Sequence, residues 1–491
     1  MTTQPEKPAL SVPKWLYWLL HTWVRLSYRF QLEGAEHLPS DGPLLLLPTD
    51  VQGFLGPLAQ MFGLVPVMVA RSGSGARSVS IMHEQLYAIG AKGLSSAKDS
   101  IYGVRPHSAG TQALSLIDAY HALKEGGLVN INPEGDESWD GAGVGIRDGG
   151  AWLALRTAAP CVLVVPSAGL YDIWPFWERL PSLRGRLTLR YSPPFTVVDQ
   201  PADRLTDTDL AHAREVIGSK LRELRFGAGG QAAWAPPPRQ HGHEVPLPEL
   251  RREVPVKRRF RRRPAGKQGI GLLLFQCPIC GTTDSIVHRR GIGRRNTVRC
   301  RACGARWWVR REYGHDWRLI LKRGPEDLVG LDVALSELHA YVKAHLTLDA
   351  APDVSPVTID PGEKVLLVAN ECRLTPYDRA SVDAGLDGVA PVTRTEDHIG
   401  AVSTKPLGAG KLIMSDRRIL WQRDGHAIEF DWDKVTALHL LFRNQLVLAH
   451  GAALYGVGLG KESAIKWIAY ADQLLNGSRD RPERRVPVSP Y

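Results

Sequence analysis

Apolar positions change their period along the chain, and each change marks a different kind of element. Near the start, Trp15, Leu16, Leu19, Leu20, Trp23, Leu26 and Phe30 recur at helical spacing behind Pro13, so 14–30 predicts an amphipathic helix. From Gly42 to about Phe226, short unbroken apolar runs (PLLLLP, VPVMVA, LVNIN, CVLVVP, RLTLRY) alternate with helical stretches at Thr111–Lys124 and Gly149–Thr157. Strands separated by helices of this length predict an α/β sheet with parallel pairings. The periodicity lapses over 229–268, which is rich in Gly, Pro and like charge and reads as a linker. A Cys-containing segment follows at 269–312, then a helical connector at 313–355 with its helix near Glu326–Leu346. Residues 356–478 read as short alternating strands turned at Ser415-Asp416 and Asp424-Gly425, with a closing helix at Glu462–Leu475, and 479–491 as a tail. The expected architecture is an α/β mixed sheet with flanking helices over 1–228, a small Cys module, and a C-terminal β-barrel with a closing helix.

Composition changes this picture in two places. A net charge of +10 is concentrated in Arg251–Lys267, where nine basic residues and one acid leave a surplus of +8, so the rest of the chain carries only +2. Six cysteines in 491 residues do not make a disulfide framework, and four of them form two CxxC pairs. That pattern points to metal in a reducing compartment, with Cys161 and Cys372 read as buried hydrophobes. No run reaches the roughly 18–20 apolar residues that span a bilayer, and no cleavable leader is recognisable, so a cytoplasmic location is expected. The 14–30 helix combines Trp15, Trp18 and Trp23 with Lys14, Arg25 and Arg29. It fits either an in-plane interfacial helix on a membrane surface or a core-packing first helix.

The strand LVNIN delivers Pro133, Glu134 and Gly135 onto a turn, within NPEGDES at 132–138. The downstream string GIRDGGAWLALRTAAPCVLVVP at 145–166 and the lead-in RFQLEGAEHLPSDGPLLLLP at 29–48 complete an ordered set. Together they resemble the glycerolipid acyltransferase family, which acylates lysophosphatidic acid or glycerol 3-phosphate, over roughly 14–226. The resemblance implies an acyl thioester donor, either acyl-CoA or an acyl-carrier protein, and a substrate site at Pro133, Glu134, Gly135 and Arg147. In that family a His acts as general base on the acceptor hydroxyl and an Asp five residues on orients it. The best alignment of that motif is DVQGFLGP at 50–57, which puts Val51 in the His place and Gly56 in the Asp place. The adjoining Asp50 is the candidate substitute base, with His83 and His107 as further candidates. The family's phosphate-binding arginines are replaced by Ser96 and Glu137. The resulting site presents Glu134, Asp136, Glu137, Asp140 and Asp148, and at an effective dielectric of about 20 each close like-charge pair costs on the order of 4 kcal/mol, which disfavours a phosphate dianion.

Cys277, Cys280, Cys300 and Cys303 give CxxC-x19-CxxC, with a Gly after each pair. The spacing resembles a zinc ribbon: four thiolates close the shell of a structural zinc, and no open position remains for chemistry. His288 is read as a bystander. Arg289, Arg290, Arg294, Arg295 and Arg299 lie between the pairs and Trp307 and Trp308 just beyond. That cationic surface suits phosphates of nucleic acid or anionic lipid, or serves as a solvated spacer. The strand-and-helix order of 356–476 resembles a pleckstrin-homology or GRAM-like domain, which implies a lipid or protein partner. Three functions follow: acyl transfer to a lysolipid or related acceptor at a membrane surface, a catalytically inactive lipid-binding scaffold (a pseudoenzyme), or nucleic-acid binding through the ribbon. Peripheral attachment to an anionic membrane is expected from the Trp-rich helix and the Arg-rich linker together.

Overall fold

The computed structural model describes Thr22 and Leu26 and residues 30–49, 78–83, 101–104, 109–134, 145–166, 188–226, 247–255, 269–291, 294–310, 317–351, 359–377, 406–441, 444–451, 453–460 and 462–476. The chain forms two compact units, centred on 30–226 and on 247–476.

In the first unit the elements run β1 (Gln31–Glu33), β2 (Leu44–Pro48), β3 (Ser78–His83), β4 (Ile101–Val104), α1 (Ala109–Lys124), β5 (Leu128–Ile131), α2 (Asp148–Thr157), β6 (Cys161–Pro166), β7 (Thr188–Tyr191) and α3 (Asp207–Phe226). The strands form one sheet in the order β1-β7-β6-β2-β5-β3-β4. All neighbours are parallel except β6 and β7, so the sheet is mixed, as expected. Leu44–Pro48 and Cys161–Pro166 are buried at every position, which is why their sequences are continuous apolar runs and not alternating ones. Helix α2 lies close over β2 and the end of β5: a Cβ on Gly150 would stand 3.3 Å from Leu47 Cδ2. The helix ends on Ala158 in the left-handed region (φ 50°), and the chain turns directly into β6. At the far edge, Gly34 (φ +79°) is required, because a Cβ there would meet the Tyr191 carbonyl oxygen at 2.4 Å.

The second unit contains β8 (Ile286–Gly291), β9 (Arg294–Cys300), β10 (Arg306–Arg310), β11 (Arg318–Arg323), β12 (Asp332–Ala334), α4 (Leu335–Ala344), β13 (Val365–Tyr377), β14 (Ala409–Ser415), β15 (Arg418–Arg423), β16 (His426–Asp431), β17 (Val435–Leu441), β18 (Gln445–His450), β19 (Ala453–Gly458) and α5 (Ala464–Asn476). The ribbon extends further than its cysteines indicated. Strands β11 and β12 continue it into a five-stranded antiparallel sheet, β12-β11-β10-β9-β8, so the 313–355 segment is only partly helical. The alternation of buried Leu319 and Leu321 with Arg318 and Lys322 has the strand period, and the helix is confined to α4.

Strands β13–β19 form an open antiparallel sheet in the order β16-β15-β14-β13-β19-β18-β17. Its edge strands β16 and β17 do not pair with each other among the described residues, so the described sheet is open where a β-barrel was expected. Strand β13 hinges the two halves. It pairs with β14 along Val365–Arg373 and with β19 along Arg373–Tyr377, and register shifts between Ala369 and Cys372 bend it, with Glu371 at φ 60°. The Asp424-Gly425 turn has positive φ at both residues (46° and 81°), the type I′ geometry that matches strand twist.

Helix α5 is buried at every position from Ala464 to Ala471, a pattern that needs partners all round. It contacts β17. It also meets the ribbon: the Tyr470 hydroxyl lies within 3.1 Å of both Gln276 Nε2 and Thr283 Oγ1, and Ser463 Oγ donates to the Leu272 carbonyl. The segment read as a linker, 229–268, is anchored to this same unit through its described residues 247–255. Leu250 is fully buried, its N–H donates to the Tyr341 hydroxyl, and Arg251 donates to the Cys277 and His345 carbonyls.

Candidate functional site

Two tight turns place four sulfur atoms together. In the first, the Gly281 N–H donates to the Cys277 carbonyl and the Cys277 N–H to Thr282; in the second, Gly304 donates to Cys300 and Cys300 to Ala305. Gly281 and Gly304 take φ of +72° and +85°, which side-chain-bearing residues resist. The pairing of β8 and β9 (Ile286 with Cys300) then folds the second turn back onto the first.

The four Sγ atoms all lie within 4.8 Å of one another, with Cys277–Cys303 at 3.9 Å and Cys280–Cys300 at 3.8 Å. A tetrahedral site with metal–sulfur bonds of about 2.3 Å needs sulfurs about 3.8 Å apart, so these residues fit such an ion. None of the four forms a disulfide. Burial pushes the Cys277 thiol up, whereas the hydrogen bond from Cys277 leads the interactions that hold Cys280 far below the ordinary thiol range. Sulfurs packed this closely cannot all ionise unless a cation is shared among them. His288 stands outside the cluster: its ring nitrogens face the Ile270 N–H and Asn296 Oδ1.

At the strand ends of the first unit, β5 leaves the sheet at Ile131 and the Asn132 side chain accepts from the Glu134 N–H at 2.9 Å. The Pro133 carbonyl accepts from the Arg147 N–H at 2.7 Å, which ties the end of β5 to the start of α2. Glu134 is 1% exposed, a carboxylate buried beyond the carboxyl edge of parallel strands, where open α/β sheets hold ligands. Arg147 is exposed, and Asp148 pairs with Arg214 at 3.0 Å. Asp50, Val51, Gly56, Gly135, Asp136, Glu137 and Asp140 lie outside the described residues, as do Ser96 and His107.

Two polar atoms near this edge had no sequence signal beyond a polar letter in an apolar run. Thr49 Oγ1 and Asn130 Oδ1 are buried without a hydrogen-bond partner among the described residues, although Asn130 Nδ2 reaches Ser80 Oγ at 3.5 Å. Thr49 directly precedes the 50–57 stretch and Asn130 lies on β5, so the sheet end carries more polarity than its apolar runs indicated.

On the ribbon, the two tryptophans separate: Trp307 is fully buried and Trp308 is 39% exposed. Arg289 is exposed and Arg299 half-buried. Among the described residues no helix is long and apolar enough to cross a membrane.

No family model matches the chain, and no curated protein matches it. Among solved structures, it is similar to the 1-acyl-sn-glycerophosphate (LPA) acyltransferase PlsC from Thermotoga maritima, at 21% identity and a TM-score of 0.29, over 41% of this chain and 74% of that one. It is also similar to the Vps36 N-terminal PH domain, at 12% identity and a TM-score of 0.18, over 24% of this chain and 84% of that one. Scores this low leave fold and chemistry to the chain's own residues.

Proposed function

We propose that this protein is a divergent member of the glycerolipid acyltransferase family, transferring an acyl chain from a thioester to a lysolipid or related hydroxyl acceptor at a membrane surface. The observation that carries this reading is Glu134: a buried carboxylate on the turn that leaves β5, inside the ordered string that resembles the family. In such a transfer the hydroxyl oxygen forms an ester bond to the acyl carbon, the carbon–sulfur bond breaks, and the hydroxyl proton passes through a base to the departing thiolate. Val51 cannot accept that proton, so a different base is required, and Asp50 is the nearest candidate in sequence. The acids around the turn favour an acceptor without a phosphate dianion. The four cysteines hold a structural zinc, which gives the ribbon folding energy and takes no part in the transfer.

A second reading is favoured by Val51 and Gly56: a catalytically inactive lipid-binding scaffold that keeps the cleft and recruits partners through its C-terminal sheet. One experiment separates them. Purified full-length protein is incubated with labelled acyl-CoA and a panel of lysophospholipids and unphosphorylated hydroxyl lipids. Acylated product that is lost in Glu134→Ala and Asp50→Asn variants with unchanged melting temperatures supports the enzyme. Vesicle binding with no product from any acceptor supports the scaffold.

A further inference from the structure

The outward face of the ribbon sheet is cationic, and an aromatic ring lies at its centre. Strand register fixes its membership. Along β10, Arg306, Trp308 and Arg310 point outward while Trp307 and Val309 are buried, so successive outward side chains stand about 7 Å apart along the strand. Across β9, Arg306 faces Arg299 and Trp308 faces Thr297; on β8, Arg289 faces Thr297 in turn. Across β11, Trp308 faces Ile320 and Arg310 faces Arg318, with Lys322 next along the outward row. Asp332 on β12 engages Arg318 at 2.7 Å and Arg310 at 3.8 Å, and it is the one acid that register places on this face among the described residues. The remaining cations are left with surplus positive charge.

Lys322 Nζ lies over one face of the indole, 5.5 Å from its ring centroid, and 39% of Trp308 remains exposed. A Trp inserted into a bilayer would have to carry Arg306 and Arg310, its outward neighbours on β10, towards the acyl chains with it, at a desolvation cost. An exposed aromatic ring surrounded by cations fits a different ligand: bases to stack on the ring and phosphates to meet the guanidinium groups. Bases in a duplex are already stacked and offer no free face.

We therefore propose that the β8–β11 face of the ribbon sheet binds single-stranded nucleic acid, with Trp308 as the stacking platform and Arg289, Arg299, Arg306 and Lys322 as phosphate contacts. The test uses the full chain with fluorescein-labelled U20 and dT20, read by polarisation across a salt series, against a 20-base-pair duplex and phosphatidylserine vesicles. Single strands should bind more tightly than the duplex. Trp308→Ala should weaken them on the order of ten- to hundredfold with the salt slope intact, whereas Trp308→Phe retains part of the affinity. Arg289→Ala with Arg306→Ala should lower the slope of log K against log salt by about 1.4. Zinc content and melting temperature must match wild type in each variant. Ultraviolet crosslinking of a 4-thiouridine oligonucleotide to the unmodified protein, mapped to 287–323, would support the site without any substitution. No oligonucleotide binding at 50 mM salt, equal affinity for the duplex, indifference to Trp308→Ala, or vesicle binding through Trp308 in place of the oligonucleotide would each overturn it.

Discussion

At the scale of single residues, the metal centre depends on positions whose reasons are local. A thiolate every third residue with a glycine behind it can be read from the letters alone, because the turn that aims backbone amides at sulfur needs a positive φ at that glycine. The structure adds a constraint that spacing does not carry. A Cβ on Gly281 would stand 2.5 Å from an Arg251 guanidinium nitrogen, so this turn is also packed against the segment read as linker. Metal analysis of protein purified without chelator should find one zinc per chain. Cys300→Ser should abolish it and unfold the ribbon while the helices and sheet of residues 30–226 melt as before, followed by circular dichroism and limited proteolysis. Metal-free protein with a natively folded ribbon would refute the zinc assignment. Thr49 and Asn130 show the opposite case, since neither has a neighbour in sequence that marks it, and their buried oxygens, without a partner among the described residues, emerge only when β2, β5 and β6 are set side by side.

At the scale of elements, what could be read was each element's own period, and what could not was which faces were covered. The apolar runs of β2, β5 and β6 and the helix α2 appear where their patterns put them. Helix α5 was also legible as a helix, but the sequence does not show where its Lys466 is placed. In the fold that ammonium is 3% exposed and bridges Asp284 of the ribbon, 182 residues away, at 3.0 Å, and Glu462. No local pattern encodes such a partner. Burial alone would lower the pKa of Lys466, but Asp284, then Glu462, outweigh it and raise it well above the ordinary lysine value. Because the folded pKa is the higher one, the stabilisation is fully present below the unfolded lysine value of about 10.4 and is lost as pH rises through the folded value. Lys466→Met should destabilise the second unit at pH 7 by about 3–5 kcal/mol, because it leaves two carboxylates buried without their cation. Denaturant melts should also show that the variant lacks the wild type's loss of stability above about pH 10. A melt indistinguishable from wild type at pH 7 would remove the network from any structural role.

At the scale of the whole molecule, composition shifts set modules apart in the sequence but do not show that the ribbon, α4, the C-terminal sheet and α5 join in one compact unit, because they bury surface against one another through contacts far apart in sequence. Attachment to a membrane is a property of the whole chain, because its two signals lie in separate segments. Leu26, within the Trp-rich 14–30 stretch, is helical and 78% exposed, and the stretch supplies the apolar signal through Trp15, Trp18 and Trp23. The 251–267 segment adds a surplus of +8, of which Arg251 and Arg252 are already engaged with the second unit. Each remaining cation near an anionic leaflet contributes roughly 1 kcal/mol before screening, and salt removes much of it. Neither signal alone gives stable attachment, but two acting together can. The expected outcome is cosedimentation with phosphatidylserine-containing liposomes that weakens between 50 and 300 mM salt. It should be lost when Trp15, Trp18 and Trp23 become Ala and Arg258, Arg259, Arg261, Arg262 and Arg263 become Gln in the same chain. Changing either set alone should leave weaker, more salt-sensitive binding, because each removes one of the two signals. Equal binding to neutral and anionic vesicles would show that the arginines play no part, and no binding to either would return the Arg run to the nucleic-acid face of the ribbon.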